Sequence, residues 1–283
     1  MYDVIIIGSG PAGISAGIYL KRAKKNVLII SKGNSALEKA EKIDNYYGVL
    51  SVSGKELYEL GIKQAKALDI HIEDDEVTNI SFENNFIVTT VNRQFESKYV
   101  IIATGTNRKT PNIKGIKEFE GKGVSYCAIC DAFFYRNKDV AVLGNGNYAI
   151  HEASHLKPIA KSVTILTNGK EIVENRSVQE FEIDDTPIRE FRGSNVIEEI
   201  EFDNNNTKKI DGVFIAIGTA SSTDLAKKIG AVVKNNNIVV DENMETTVKG
   251  MYACGDCTGG LLQVNKAVYE GAKAALSIIN VSK

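Results

Sequence analysis

The chain has 283 residues, 43% of them hydrophobic and 25% charged, with a formal net charge of -2 at pH 7. That length holds about two domains of ordinary size, each with its own core. The near-neutral balance gives no case for nucleic-acid binding, which normally demands a clearly basic face. The apolar run from Val4 to Leu20 reads as neither signal peptide nor membrane span: it follows Asp3 without a basic leader, and glycines and a proline interrupt it.

Val4 to Ile7 is a short strand, followed at once by G-S-G-P-A-G: Gly8, Ser9, Gly10, Pro11, Ala12 and Gly13. Ile14, Ile18 and Leu20 continue at helical spacing, and Val27 to Ile30 is the next strand. A glycine fingerprint is weak alone and strong inside such a β-α-β frame, where it predicts a dinucleotide site. Gly8 permits the tight turn, Gly10 lets the backbone approach a pyrophosphate, and Gly13 lets the helix pack closely on the strand. The helix N-terminus attracts the phosphate charge. Lys21, Arg22, Lys24 and Lys25 read as a solvated helix end that complements the dipole.

Residues 70–100 alternate in the manner of strands, with Asn84-Asn85 as a hairpin turn. Ile101 to Gly105 ends a strand in a small-residue turn that lets backbone press against a ligand. Gly115 to Gly123, with Pro111 just upstream, reads as a linker.

The four cysteines fall as two C-x-x-C pairs, Cys127/Cys130 and Cys254/Cys257. That is not the scattered set of a secreted disulfide framework, so the expectation is a reducing, cytoplasmic setting. Cys127 and Cys130 can close a small, readily reduced disulfide whose thiolate is the nucleophile. Asp131, beside them, is the candidate acid or base for the proton on the outgoing thiol. Zinc is a competing reading, but four-cysteine sites usually space their pairs by about 15–20 residues, far less than here; no metal ligand is assigned. Cys254 and Cys257 flank Gly255-Asp256, where small residues suit tight backbone, and read as buried structural thiols, an auxiliary redox pair being the alternative.

Val140 to Leu143, the fingerprint G-N-G-N-Y-A (Gly144 to Ala149) and Val163 to Leu166 make a second β-α-β. Residues 170–215 alternate again, with asparagine-rich turns at Asn204 to Asn206 and, later, Asn235 to Asn237. Val213 to Gly218 is another strand with a glycine turn, and Gly250 to Ala253 a last strand before a helix from about Leu262. The expected architecture is α/β: two Rossmann-like three-layer nucleotide-binding domains, the second inserted into the first. Residues 1–110 and 246–283 would form the outer domain and 114–243 the inserted one.

These blocks resemble the low-molecular-weight thioredoxin reductase family over nearly the whole chain. The matches are G-S-G-P-A-G, I-D-N-Y-Y-G (Ile43 to Gly48), A-T-G (Ala103 to Gly105), C-A-I-C-D-A-F-F-Y-R-N (Cys127 to Asn137), the Val213 to Gly218 turn, and C-G-D-C followed by L-L-Q-V. The resemblance implies a homodimeric disulfide oxidoreductase whose first fold holds FAD and whose inserted fold holds the dithiol and an NADPH site. It implies that Cys130 takes electrons at the flavin and that Cys127 attacks the disulfide of a thioredoxin-like protein. It further implies that Asp256, after Gly255, bonds the ribityl chain, and that the backbone at Gln263 and Val264 faces the flavin's N1/O2 edge. Thr104, Gly105 and Asn45 would line the flavin. Ser31 stands where many FAD proteins place a ribose-binding acid, and Asn34-Ser35-Ala36 replaces the family's G-G-Q.

The second fold departs further. NADP folds place arginines just past the second strand and NAD folds an acid; NADPH-dependent relatives run into His-Arg-Arg there. Here Leu166 is followed by Thr167-Asn168-Gly169-Lys170, the next helix reads as shortened or missing, and Asn145 and Tyr148 replace small residues. Tyr148 is large enough to fill the space of a pyrophosphate. The chain therefore looks most like the ferredoxin-dependent flavin thioredoxin reductases, which lack the NADPH clamp. It carries no cysteine set for an iron–sulfur cluster, so ferredoxin would be a separate protein. The rivals are an NADPH-dependent enzyme whose clamp charge comes from Lys170 or Lys161, and a non-catalytic flavin-binding redox sensor.

Overall fold

The computed structural model describes residues 1–33, 35–105, 111–173 and 176–282, without the side chains of Ile129, Cys130 and Arg176. It divides into two compact units, Met1–Asn107 with Ser221–Lys283, and Arg108–Ala220. In the first unit β1 (Tyr2–Ile7), α1 (Pro11–Arg22), β2 (Val27–Ser31), α2 (Gly54–Ala67) and β3 (His71–Asp74) alternate, and the three strands pair in parallel. Val4 to Ile7 and Val27 to Ile30 are buried, as continuous apolar runs must be in a sheet covered on both faces. β4 (Val77–Phe82) and β5 (Phe86–Thr90) form the expected hairpin, and β6 (Gln94–Ile102) returns parallel to β1. The strand-like alternation expected from residue 70 begins with β3, which extends the parallel sheet beside β2.

The second unit opens with β7 (Val124–Ser125), α3 (Ala128–Asp131), β8 (Asp139–Leu143), α4 (Asn147–Leu156), β9 (Ser162–Leu166) and β10 (Glu182–Asp184). β11 (Ile188–Arg192), β12 (Glu199–Phe202) and β13 (Thr207–Lys209) form an antiparallel sheet before β14 (Gly212–Ile215) completes the parallel order β10-β9-β8-β14-β7. No α-helix stands between β9 and β10 among the described residues, only the short 3-10 turn Arg176–Glu180. Gly115 to Gly123 is not a linker: Ile116 and Phe119 are buried in this unit's core with Val124, Phe191 and Ile197. Their apolar side chains outweigh the flanking glycines.

The chain then adds α5 (Ser222–Lys228), the small hairpin β15 (Val233–Lys234) and β16 (Asn237–Ile238), β17 (Met251–Ala253) and α6 (Val264–Val281) to the first unit. The return falls at Ser221 rather than between 243 and 246, because α5 is tied within that unit. Ser222 Oγ donates to the Gly105 carbonyl at 2.9 Å and Lys228 Nζ to the Thr78 carbonyl at 2.8 Å. β17 pairs with β6 to complete the sheet β3-β2-β1-β6-β5-β4, and α1 and α6 share one core with β1, β2 and β6. No helix among the described residues is long and apolar enough to cross a membrane.

Candidate active site

β7 is held in register by β14, with Ser125 opposite Phe214, and delivers Cys127 to the start of α3. Cys127 is buried and disulfide-bonded, whereas Cys254 and Cys257 are free. The Cys130 side chain lies outside the described residues. One hydroxyl organises the turn. Ser125 Oγ donates to Asp131 Oδ2 at 2.6 Å and accepts the Cys127 backbone N–H at 3.2 Å. From α4, Glu152 Oε2 accepts the Ala128 N–H at 2.8 Å. After α3, Tyr135 packs edge-on against Phe214, its phenol raised by burial first and then by the charges of Asp131 and Asp211. The spacing of the sequence carries no signal for Ser125 or Glu152, since they meet the dithiol only in space.

In the first unit the fingerprint meets the carboxyl ends of β1, β6 and β17. A Cβ on Gly8, where φ is 110°, would stand 3.1 Å from the Thr104 nitrogen. The Cys254 N–H bonds the Ile102 carbonyl at 3.0 Å, and a Cβ on Gly255 would lie 2.9 Å from that of Ala12. Gly8, Ala12, Thr104 and Gly255 therefore converge. Gly10 begins α1 with Pro11 behind it and no side-chain cap, leaving the first-turn amides for an anion. Ser9 Oγ donates to Ser31 Oγ and shares a second bond with Tyr58 Oη, both 2.8 Å. Asn45 Nδ2 donates to Gln263 Oε1 at 3.0 Å, just before Val264 starts α6. Asn34 lies outside the described residues.

Glu270 and Lys266 of α6, which sequence reasoning missed, hold the Gly255–Asp256 turn. Glu270 Oε2 accepts the Gly255 N–H at 2.9 Å, and Lys266 Nζ donates to the Gly255 carbonyl and to Thr258 Oγ1, both at 2.8 Å. Burial raises the Asp256 carboxyl above the usual carboxylate value, with Lys266 opposing and Glu270 adding.

The family model of the pyridine nucleotide-disulphide oxidoreductases matches residues 2–271. The thioredoxin reductase of Aquifex aeolicus is 35% identical over 299 residues, covering 98% of this chain and 92% of its own. That of Ureaplasma parvum is 34% identical over 296 residues, covering 98% and 95%. The chain belongs to the thioredoxin reductase branch of the pyridine nucleotide-disulphide oxidoreductases. Among solved structures, the atypical thioredoxin reductase TRi from Desulfovibrio vulgaris Hildenborough superposes with a TM-score of 0.94 at 35% identity, covering 99% of this chain and 97% of that one. A ferredoxin-flavin thioredoxin reductase from Clostridium acetobutylicum gives 0.73 at 33% identity, covering 99% and 98%.

The resemblance read from the motifs thus holds at the level of family, fold and flavin-dependent disulfide chemistry. Thioredoxin reductases of this family bind FAD, and the first unit fits it. Thr104 Oγ1 is buried without a hydrogen-bond partner among the described residues, a group that a bound flavin can satisfy. The uncapped α1 suits the pyrophosphate.

The second fingerprint of this reductase is differently furnished. Asn145 Nδ2 donates to the Glu171 carbonyl at 2.8 Å, and the Val173 N–H donates to the Asn145 carbonyl at 2.9 Å. The chain's own backbone is laid on the fingerprint turn. Tyr148 is packed inside, 1% exposed. Past β9, Asn168 turns at φ 53° and its Oδ1 accepts the Ile188 N–H at 2.6 Å. Lys161 precedes β9 and pairs with Asp139 at 2.9 Å, at the end of the strands opposite to where dinucleotides bind.

Proposed function

We propose that the protein is a cytoplasmic, homodimeric FAD enzyme that reduces the disulfide of a thioredoxin-like protein with electrons from reduced ferredoxin. The observation that carries the donor assignment is the 171–173 backbone bonded to Asn145, where a nicotinamide cofactor's pyrophosphate would lie. The absence of an arginine or acid in Thr167-Asn168-Gly169-Lys170, directly after Leu166, supports it, as does the pairing of Lys161 with Asp139.

Bound FAD supplies a carrier that accepts single electrons and returns a pair to a disulfide. In the reading proposed, that pair opens the Cys127–Cys130 disulfide. The Cys127 thiolate then attacks one sulfur of the substrate disulfide, forming a mixed disulfide and expelling one substrate thiolate. Asp131, aimed by Ser125, takes the proton that Cys127 gives up and hands it to that thiolate. Cys130 attacks Cys127, and its proton passes to the second substrate thiolate as that leaves and the enzyme disulfide is restored.

Anaerobic titration of the yellow enzyme tests both parts. Reduced ferredoxin should bleach the flavin and NADPH should leave it oxidised; bleaching by stoichiometric NADPH would overturn the donor assignment. Cys127→Ser should keep its flavin and lose thioredoxin reduction by at least about a thousandfold. Turnover that survives this change would remove Cys127 from the nucleophile's role, and a flavin-loaded parent that reduces no disulfide would leave a flavin-binding redox sensor as the better reading.

A further inference from the structure

The most deeply buried carboxylate near the dithiol takes no part in the steps above. Glu152 sits on α4, inside the second fingerprint's β-α-β, with 1% of its surface exposed. Its Oε2 accepts the N–H of Ala128, the residue that follows Cys127, at 2.8 Å. A carboxylate is rarely enclosed so completely unless something holds it. Here the bond reaches from one element to another, and the element it reaches carries the nucleophile.

Two consequences follow from that bond. The amide of Ala128 is committed to Glu152 and is withheld from any anion that forms on Cys127. An ionised carboxylate held at Ala128 would also set a like charge near that anion, which disfavours it. We propose that Glu152 is a positioning residue that fixes the dithiol turn and keeps the Cys127 thiol weakly acidic. The proposal rests on the assignment of Cys127 as the redox nucleophile.

A weakly acidic thiol gains less from ionisation, so the dithiol is a stronger reductant than the same turn without the carboxylate; stabilising the thiolate has the opposite effect and makes a disulfide more oxidising. The bond also gives α4 a use that needs no nicotinamide. Among the described residues, the other titratable groups on the packed elements are Asp131, engaged by Ser125, Tyr135 after α3, Asp139 on β8, paired with Lys161, and, on α4, Tyr148 with His151 and His155, whose Nε2 atoms lie 3.2 Å apart.

The test is the alkylation rate of Cys127 by iodoacetamide in the full-length, flavin-loaded protein carrying Cys130→Ser, followed by mass spectrometry at pH 7. Glu152→Gln keeps an oxygen that accepts from Ala128 but removes the charge, and should speed alkylation about threefold to tenfold. Glu152→Asp keeps the charge and should stay within about twofold of the parent. Equal rates for Glu152→Gln and its parent would overturn the proposal, as would equal acceleration by both substitutions, because a purely structural role would not distinguish amide from carboxylate. The measurement uses neither an electron donor nor thioredoxin. A parent enzyme that reduces no thioredoxin would therefore overturn the proposed function and leave this test readable.

Discussion

Thr104 carries a buried hydroxyl with no partner among the described residues, and such a group costs roughly 1–3 kcal/mol. Binding FAD removes that cost only if the flavin bonds the hydroxyl. Thr104→Val should therefore raise the melting temperature of FAD-stripped protein while weakening FAD affinity about tenfold or more, as read by thermal denaturation and flavin fluorescence. A substitution that left affinity unchanged would show that Thr104 does not meet the cofactor. The thiols flanking the Gly255–Asp256 turn behave differently. Burial drives the Cys254 thiol well above its ordinary value and pushes that of Cys257 up to about 12. Their folded pKa values exceed the unfolded ones, so the stability they contribute is full below 9.0 and is lost as pH rises toward about 12. Both should resist iodoacetamide at pH 8 in native protein and react only on unfolding.

At the scale of elements, β1, α1 and β2 were legible because their apolar runs and glycines repeat a pattern set by backbone sterics alone. α2 and α5 went unread although both begin with capping boxes, Ser53 with Glu56 and Ser221 with Asp224. Their apolar stripes are thin, and α2 buries only Gly54 and Ala65. The capping oxygen of Ser221 accepts the Asp224 N–H at 3.2 Å, so Ser221→Ala should lower stability by about 1 kcal/mol in urea denaturation. The misread linker fails for the converse reason. Glycines at 115, 121 and 123 read as a free segment, but Gly123 abuts Ile197 and Gly115 abuts Phe191, so those two allow close packing. Ser125 and Glu152 were invisible because nothing in their spacing links them to Cys127. Only folding brings them there.

At the scale of the molecule, each unit encloses a core of its own residues. The second is a single stretch, Arg108–Ala220, and the first is made from two stretches on either side of it. An excised 108–220 segment should fold cooperatively, remain colourless, and retain slow Cys127 alkylation. Residues 1–107 joined to 221–283 through a short flexible linker should bind FAD and turn yellow. Gel filtration and near-ultraviolet circular dichroism would check both, and an unfolded 108–220 fragment would show that the core of that unit does not suffice.

The segment bonded across Asn145 also sets a limit on redesign. If the proposed donor assignment holds, grafting arginines at positions 168 and 170 would not by itself admit NADPH, because residues 171–173 stay bonded to Asn145 on the fingerprint turn. A retrofit has to clear that stretch first, by deletion or rerouting, and only then add charge.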